Sequence, residues 1–207
     1  HLSIRRQRQM CIRDRGNMTP GLRFGKGQKP ETLDGIDLNW FLKTSELLRS
    51  GKFSFEPARR VLIPKPGKKE RRPLGVANPR NKIVQKAIQM ILEAIYEPVF
   101  RSCSYGFRPS QGCHTALKAI QLSGNSWTWA IEGDISKCFD SIPHDIIIRL
   151  LWRMIACPAT IALIKKSLTA GYKCPETGQI MRPKVGTPQG SVLSPLLANI
   201  ILHELDV

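Results

Sequence analysis

Apolar residues along this chain recur at helical spacing in several blocks and alternate in one. The clearest block is 81–96, where Ile83, Val84, Ala87, Ile88, Ile91, Leu92 and Ile95 form one stripe and Pro98 follows as a stop. A shorter stripe over 37–50 uses Leu38, Phe41, Leu42 and Leu47, with Gly51 behind it. Helices are also expected over 110–122, with Ala116, Leu117 and Ile120 inward, and over 143–155 and 159–170. A final helix carries Leu193, Leu196, Leu197, Ile200, Ile201 and Leu205. The run 127–135 alternates instead, with Trp127, Trp129, Ile131, Gly133 and Ile135 on one side, and predicts a strand. Two hairpins complete the pattern. One is R-R-V-L-I-P-K-P-G-K-K-E-R-R-P-L-G-V, turning at Pro-Gly, and the other spans Tyr172–Pro183 around Glu-Thr-Gly. Helices and hairpins interleave without strict β-α-β alternation, so the expected class is α+β.

Charge changes the picture next. The 207 residues hold 32 Lys+Arg against 16 Asp+Glu, a formal net charge of +16. The excess sits in two blocks, 1–30 and 51–86, while the remainder is balanced. Concentrated base points to a polyanion, nucleic acid first and an anionic membrane second. No apolar run is long enough to span a bilayer, so no membrane role is expected. Residues 1–18 show no periodicity, and R-Q-R-Q-M-C-I-R-D-R reads like translated adapter sequence. They are set aside as a non-native leader, and the rest stays strongly basic. The six scattered cysteines do not form a disulfide framework, which favours a reducing compartment.

Three features can carry chemistry. Asp134 closes the apolar run in I-E-G-D-I-S-K-C-F-D. A carboxylate there suits a divalent metal, or equally a solvated strand end or a helix cap. The loop G-T-P-Q-G, directly before an apolar helix, lets backbone and the Gln189 amide approach a flat ligand or duplex. Its plainer reading is a helix-start turn capped by Ser191 or Ser194. The hairpin tip gathers Lys65, Lys68, Lys69, Arg71 and Arg72, suited to triphosphate or phosphate-backbone contact, or to blocking an exposed strand edge.

Taken in order, R-x-V-x-I-P-K-P-G, R-P-L-G, K-I-V-Q-K-A-I-Q-M-I-L-E-A-I-Y-E-P-V-F, S-Y-G-F-R-P, E-G-D-I-S-K-C-F-D and G-T-P-Q-G-S-V-L-S-P-L-L-A-N-I resemble the group II intron reverse transcriptase/maturase family from Thr19 to Val207. Ser191, where many bacterial members have Gly, is more like the mitochondrial members. The resemblance implies a right-hand polymerase, with fingers over 19–110, a partial palm over 111–207 and no thumb. It implies an RNA-directed DNA polymerase whose full-length form also assists splicing of its intron. The alternative is a non-catalytic RNA-binding maturase fragment.

Residue by residue, it implies that Asp134 is the first catalytic, metal-binding aspartate, with the Ile135 carbonyl beside it as a ligand. Lys65 and Arg72 would hold the incoming deoxynucleoside triphosphate, and Phe139 would exclude a ribose 2′-OH. Gln189 would meet the nascent pair. Lys68, Lys69, Arg71, Arg108, Pro188 and Gly190 would line the path of RNA or template. The implied cofactor is Mg²⁺, with Mn²⁺ as a substitute. The implied partners are group II intron RNA, template–primer and dNTPs. The implied compartment is the mitochondrion, for an organelle-encoded protein, or alternatively the bacterial cytoplasm. Two departures stand out. The family's T-P-G-x-D-G opening reads T-P-G-L-R-F-G-K-G-Q-K-P-E-T-L-D-G here, and the Tyr/Phe-Ala-Asp-Asp hairpin that supplies its other catalytic carboxylates does not occur before Val207. This polypeptide by itself is therefore not expected to polymerise.

Overall fold

A computed structural model of the chain describes residues 21–22, 33, 36–64, 67, 71–124, 127–187 and 190–207. The leader 1–18 and the hairpin-tip residues Lys65, Lys68 and Lys69 lie outside the described residues, as do Pro188 and Gln189.

The first helix, α1 (Leu38–Arg49), starts where Asp37 accepts a hydrogen bond from the Trp40 N–H at 2.8 Å, satisfying a donor that the first turn leaves open. Strands β1 (Ala58–Pro64) and β2 (Arg71–Val76) then pair antiparallel, from Arg59↔Val76 to Pro64↔Arg71. The long helix α2 (Pro79–Tyr96) has Asn78 as its cap and Pro79 in the first turn, where a missing N–H is harmless. After α3 (Cys113–Ser123) come the single turn α4 (Cys138–Ser141), α5 (His144–Met154) and α6 (Pro158–Thr169). A short hairpin, β3 (Tyr172–Lys173) with β4 (Ile180–Met181), leads to α7 (Ser194–Asp206).

The four strands make one sheet in the order β2-β1-β3-β4. β3 joins β1 in parallel, with Ala58 opposite Tyr172, and the Ala58 N–H donates to the Gly171 carbonyl at 3.0 Å. Beside this β1–β3 junction, Gly171 has φ +77, and a Cβ there would run into the Met181 carbonyl of β4, so only glycine lets β4 close on the start of β3. The Arg60 guanidinium lies 4.1 Å from the Tyr172 ring centre across the same junction.

The core lies among the helices. α2 contributes Val84, Ile88, Leu92 and Tyr96, one residue per turn on one face. α5 adds Ile147, Leu150 and Leu151, α6 adds Ile161, Ile164 and Leu168, and α7 adds Leu196, Leu197 and Ile200. α5 packs on α6 and α7, and α2 also packs on α7. Leu92, Ile147, Leu151 and Ile164 are fully buried. The α2, α5, α6 and α7 stripes mostly face the shared interior of an α+β fold, although Ala87 and Ile91 of α2 are exposed. The α1 stripe does not, since Leu38, Phe41, Leu42 and Leu47 are all exposed and only Thr44 of that helix is buried.

Two further expectations are overturned. Residues 127–135 form no strand: the segment is irregular, Trp129 is 89% exposed and Ile131 fully so. Alternation alone does not make a strand, because the backbone needs a ladder partner and no described strand runs beside it. In α3 the expected inward residues Leu117 and Ile120 are exposed, and no residue of the helix is buried, since no described element covers that face. Leu205, at the far end of α7, is also exposed.

Candidate functional site

Asp134 lies in the exposed irregular stretch just before α4. Lys137, with φ +51 in the left-handed region, turns the chain there. Its carbonyl accepts the Asp140 and Ser141 N–H groups at 2.8 and 3.1 Å, while the Ser141 hydroxyl donates to it at 2.9 Å and to the Ser136 carbonyl at 3.3 Å. The tight turn carries Phe139, and Asp134 stands three residues before Lys137 in the exposed stretch that leads into it.

The G-T-P-Q-G loop is strapped beneath that turn. The Gly186 N–H donates to the Ile142 carbonyl and the Thr187 N–H to the Phe139 carbonyl, both at 2.7 Å. The Nε2–H of buried His144 donates to the Gly186 carbonyl, also at 2.7 Å, which fixes the tautomer because a carbonyl only accepts. Pro143 and Val185 form an isolated bridge alongside. Gly186 has φ +90, and a Cβ there would sit 2.9 Å from the Asp140 carbonyl oxygen. At the other end Gly190 has φ +98, and its Cβ would stand 2.5 Å from the Gly75 carbonyl oxygen and 3.2 Å from Leu74 Cδ1 of β2. The two glycines flanking Pro-Gln are thus both close-approach points, one onto the Phe139 turn and one onto the basic hairpin. Behind Gly190, Ser191 shares an open cleft with Gly75, Asn81, Gln85 and Ser167. Gln85 donates to the Ser167 hydroxyl at 3.1 Å.

The helix-start reading of this loop fares differently. The residue before α7 is Leu193, which makes no side-chain cap bond. The Ser191 hydroxyl accepts from the Leu193 N–H at 3.4 Å, ahead of the helix and not as its cap.

Arg108 is turned inward. Its Nε and Nη2 donate to Glu97 Oε1 at 3.0 and 2.8 Å, and its Nη1 donates to the carbonyls of Arg101 and Ser104 at 2.6 and 2.8 Å. The guanidinium also stands 5.3 Å from the Phe100 ring centre, and the side chain is only 8% exposed. It clasps the loop 101–108 against the end of α2. On the same loop, the Gly106 carbonyl accepts from the buried Asn199 amide of α7 at 2.7 Å, and the Phe107 ring meets Phe139 edge-on with centroids 6.2 Å apart.

Of the expected site residues, the structure joins the Phe139 turn, Gly190 and the hairpin strands into one connected unit. Arg71 opens β2 and is exposed, and the backbone of Arg72 pairs with Ile63. Sequence reasoning missed Gly75, His144, Phe107 and Asn199. Gly75 did leave a signal, since a glycine inside a β-prone run marks close approach of another backbone. Phe107 and Asn199 do lie inside the S-Y-G-F-R-P and S-P-L-L-A-N-I runs, but nothing in those runs pointed to their contacts, and His144 left no signal.

The donors beside Asp134 are hard oxygens, its carboxylate and the Ile135 carbonyl, which match Mg²⁺ in kind. Among the described residues no group of three or more His, Cys, Asp or Glu side chains converges, so these two donors would form part of an octahedral shell and not the whole. No helix among the described residues is long and apolar enough to cross a membrane.

Comparison with known proteins agrees with the motif order. Residues 63–206 match the family model described as reverse transcriptase (RNA-dependent DNA polymerase). An uncharacterized 91 kDa protein in the cob intron of Schizosaccharomyces pombe is 48% identical over 191 residues, 92% of this chain and 23% of its own. The group II intron-encoded protein LtrA of Lactococcus lactis is 45% identical over 181 residues, 87% of this chain and 30% of its own. Nuclear intron maturase 1, mitochondrial, of Arabidopsis thaliana is 30% identical over 89 residues, 43% of this chain and 12% of its own. The chain thus spans less than a third of the length of these relatives. With the family model matched across most of its residues, the chain belongs to the reverse transcriptase (RNA-dependent DNA polymerase) family.

Proposed function

We propose that this chain is the fingers, over 19–110, and the upstream palm, over 111–207, of a group II intron-type RNA-directed DNA polymerase. Its full-length form would also assist splicing of the host intron. The observation that supports this most is the double docking of the G-T-P-Q-G loop. Its first glycine lies on the turn carrying Phe139, five residues after Asp134 in sequence, and its last lies on the basic hairpin. The chemistry of template, sugar and triphosphate thereby shares one mechanical unit.

In this reading Asp134 and the Ile135 carbonyl hold a divalent ion, Mg²⁺ or Mn²⁺ in its place, with the remaining carboxylates from the family's Tyr/Phe-Ala-Asp-Asp hairpin. Such ions supply charge stabilisation at the reacting phosphate and lower the pKa of the attacking hydroxyl. This chain's own residues do the binding and sorting. Lys65 and Arg72 neutralise the triphosphate, Phe139 occupies the space a 2′-OH would need, and Gln189 contacts the nascent pair. Lys68, Lys69 and Arg71 track phosphates, with Pro188 and Gly190 shaping the groove. Arg108 serves the template path by fixing the loop that carries Phe107, since its donors are committed to protein acceptors. Group II intron RNA, template–primer and dNTPs are the partners. The mitochondrion is the proposed compartment, in keeping with the name of the Arabidopsis relative, and the bacterial cytoplasm is the alternative, in keeping with the Lactococcus one.

The test is Asp134→Ala in the full-length protein, read by both primer extension and intron splicing. Extension is expected to vanish while splicing persists. Undiminished extension would remove Asp134 from the catalytic role, and absence of extension even in the unmutated protein would favour the RNA-binding maturase.

A further inference from the structure

Phe107 is a bulky residue in a conformation such residues rarely take, with φ +55. Backbone of this kind persists only where its surroundings hold it, and both flanks of Phe107 are held. On one side the Gly106 carbonyl is tied to Asn199 of α7 at 2.7 Å, and on the other Arg108 is clasped to Glu97, Arg101 and Ser104. The strained turn does not bury the ring, which is 71% exposed. What it does is set the ring against Phe139, with centroids 6.2 Å apart and planes 76° apart, the preferred edge-to-face arrangement. The backbone of Phe139 is pinned through its carbonyl by the Thr187 N–H, but its ring retains side-chain torsions that this bond does not fix.

We propose that Phe107 is a positioning residue that braces the Phe139 ring and so sharpens discrimination between deoxyribose and ribose. The inference rests on the reading of Phe139 as the residue that excludes a 2′-OH. A ring that excludes one oxygen must stand still to within a fraction of an ångström, and an edge-on neighbour held by two helices supplies that restraint.

The experiment compares Phe107→Ala, Phe107→Tyr and Phe139→Ala in the full-length protein by the ratio of kcat/KM for a dNTP to that for the matching rNTP. Phe107→Ala is expected to lower the ratio about two- to twelvefold, the range an aromatic pair contact spans. Phe107→Tyr should restore it, and adding Phe107→Ala to Phe139→Ala should change little, because the brace then has nothing to hold. Relaxed selectivity in Phe139→Ala with an unchanged ratio in Phe107→Ala overturns the brace alone. An unchanged ratio in Phe139→Ala overturns the reading of Phe139, and the brace with it. Equal loss of dNTP and rNTP use in Phe107→Ala would assign the residue to folding only and also overturn the proposal. Should the alanine variant not fold, Phe107→Leu keeps bulk without the aromatic edge and is held to the same three outcomes.

Discussion

Replacing Arg108 by alanine is expected to destabilise the chain by about 3 kcal/mol, and the clasp shows why. Removing the guanidinium strips the Glu97 carboxylate of two donors and takes one from each of the Arg101 and Ser104 carbonyls, of which the Arg101 carbonyl keeps the Ser104 N–H. Breaking a buried ion pair costs about 3–5 kcal/mol, because an uncompensated charge stays behind. The Glu97 side chain is 30% exposed, however, so water can recover part of the loss, and the lower end of that range applies. For a chain of this size that corresponds to a fall in Tm of about 6–12 °C. Thermal and urea unfolding would measure it, with Glu97→Gln completing a double-mutant cycle. Arg108→Lys should rescue little, since an ammonium cannot reproduce the planar fork. RNA binding provides the discriminating half of the experiment. If Arg108 works through the loop, the dependence of log affinity on log salt keeps its slope in the variant. If it touches a phosphate, the slope shrinks by about one. A stability loss below about 1 kcal/mol together with a reduced slope would refute the clasp and put Arg108 on the nucleic acid.

Four further outcomes are expected. Leu92→Ala, at a fully buried position of α2, should cost about 2–5 kcal/mol, checked by urea unfolding, and a cost under ~1 kcal/mol would contradict the packing described. Gly190→Ala should cost about 1–3 kcal/mol through its positive φ and the Gly75 contact, and should depress primer extension more than stability. Wild-type extension would mean that the loop can leave β2 without consequence. Burial pushes the Tyr96 hydroxyl up to about 12, against the opposing pull of Arg153. The folded state therefore keeps its proton longer than the unfolded state, and the associated stability, whole below pH ~10, fades as pH rises from there through about 12. Alkaline unfolding of Tyr96→Phe should show a weaker decline in that window, and an identical profile would acquit the tyrosine. RNA affinity should fall about a thousandfold between ~50 and ~200 mM salt if about six phosphates are neutralised, and a flat response would exclude a basic groove.

Much of the fold is written in local periodicity. Helices α2, α5, α6 and α7 were legible because their apolar stripes face a core that the same stripes build, and both hairpins were legible from turn residues between β-prone runs. The failures share one cause. For 127–135, for α1 and for α3 the apolar pattern is present but its cover is not, and a pattern reports what a segment can bury without reporting what buries it. In the candidate site, the motifs singled out the residues proposed to carry the chemistry. They could not show that Gly186 and Gly190 dock on two different segments, because such contacts join residues far apart in sequence. Arg108 illustrates the same limit. Its motif fits a template path equally well with the side chain pointing out or in, and only the positions of Glu97, Arg101 and Ser104 decide.

The parallel seam between β1 and β3 also bears on the order in which the chain assembles. Ala58 must wait for Tyr172, more than a hundred residues later, before its second edge is paired. At a synthesis rate of about 5–20 residues per second, the β1–β2 hairpin stands on the ribosome with an open edge for roughly 6–20 s. Contacts of such long separation form slowly in any case, because closure of the intervening loop must come first. Arg59 and Arg60 lie in that waiting strand, where like charges repel a second nascent copy and discourage edge-to-edge pairing. The β3–β4 hairpin acts as a late latch, and the basic strand protects itself until the latch arrives.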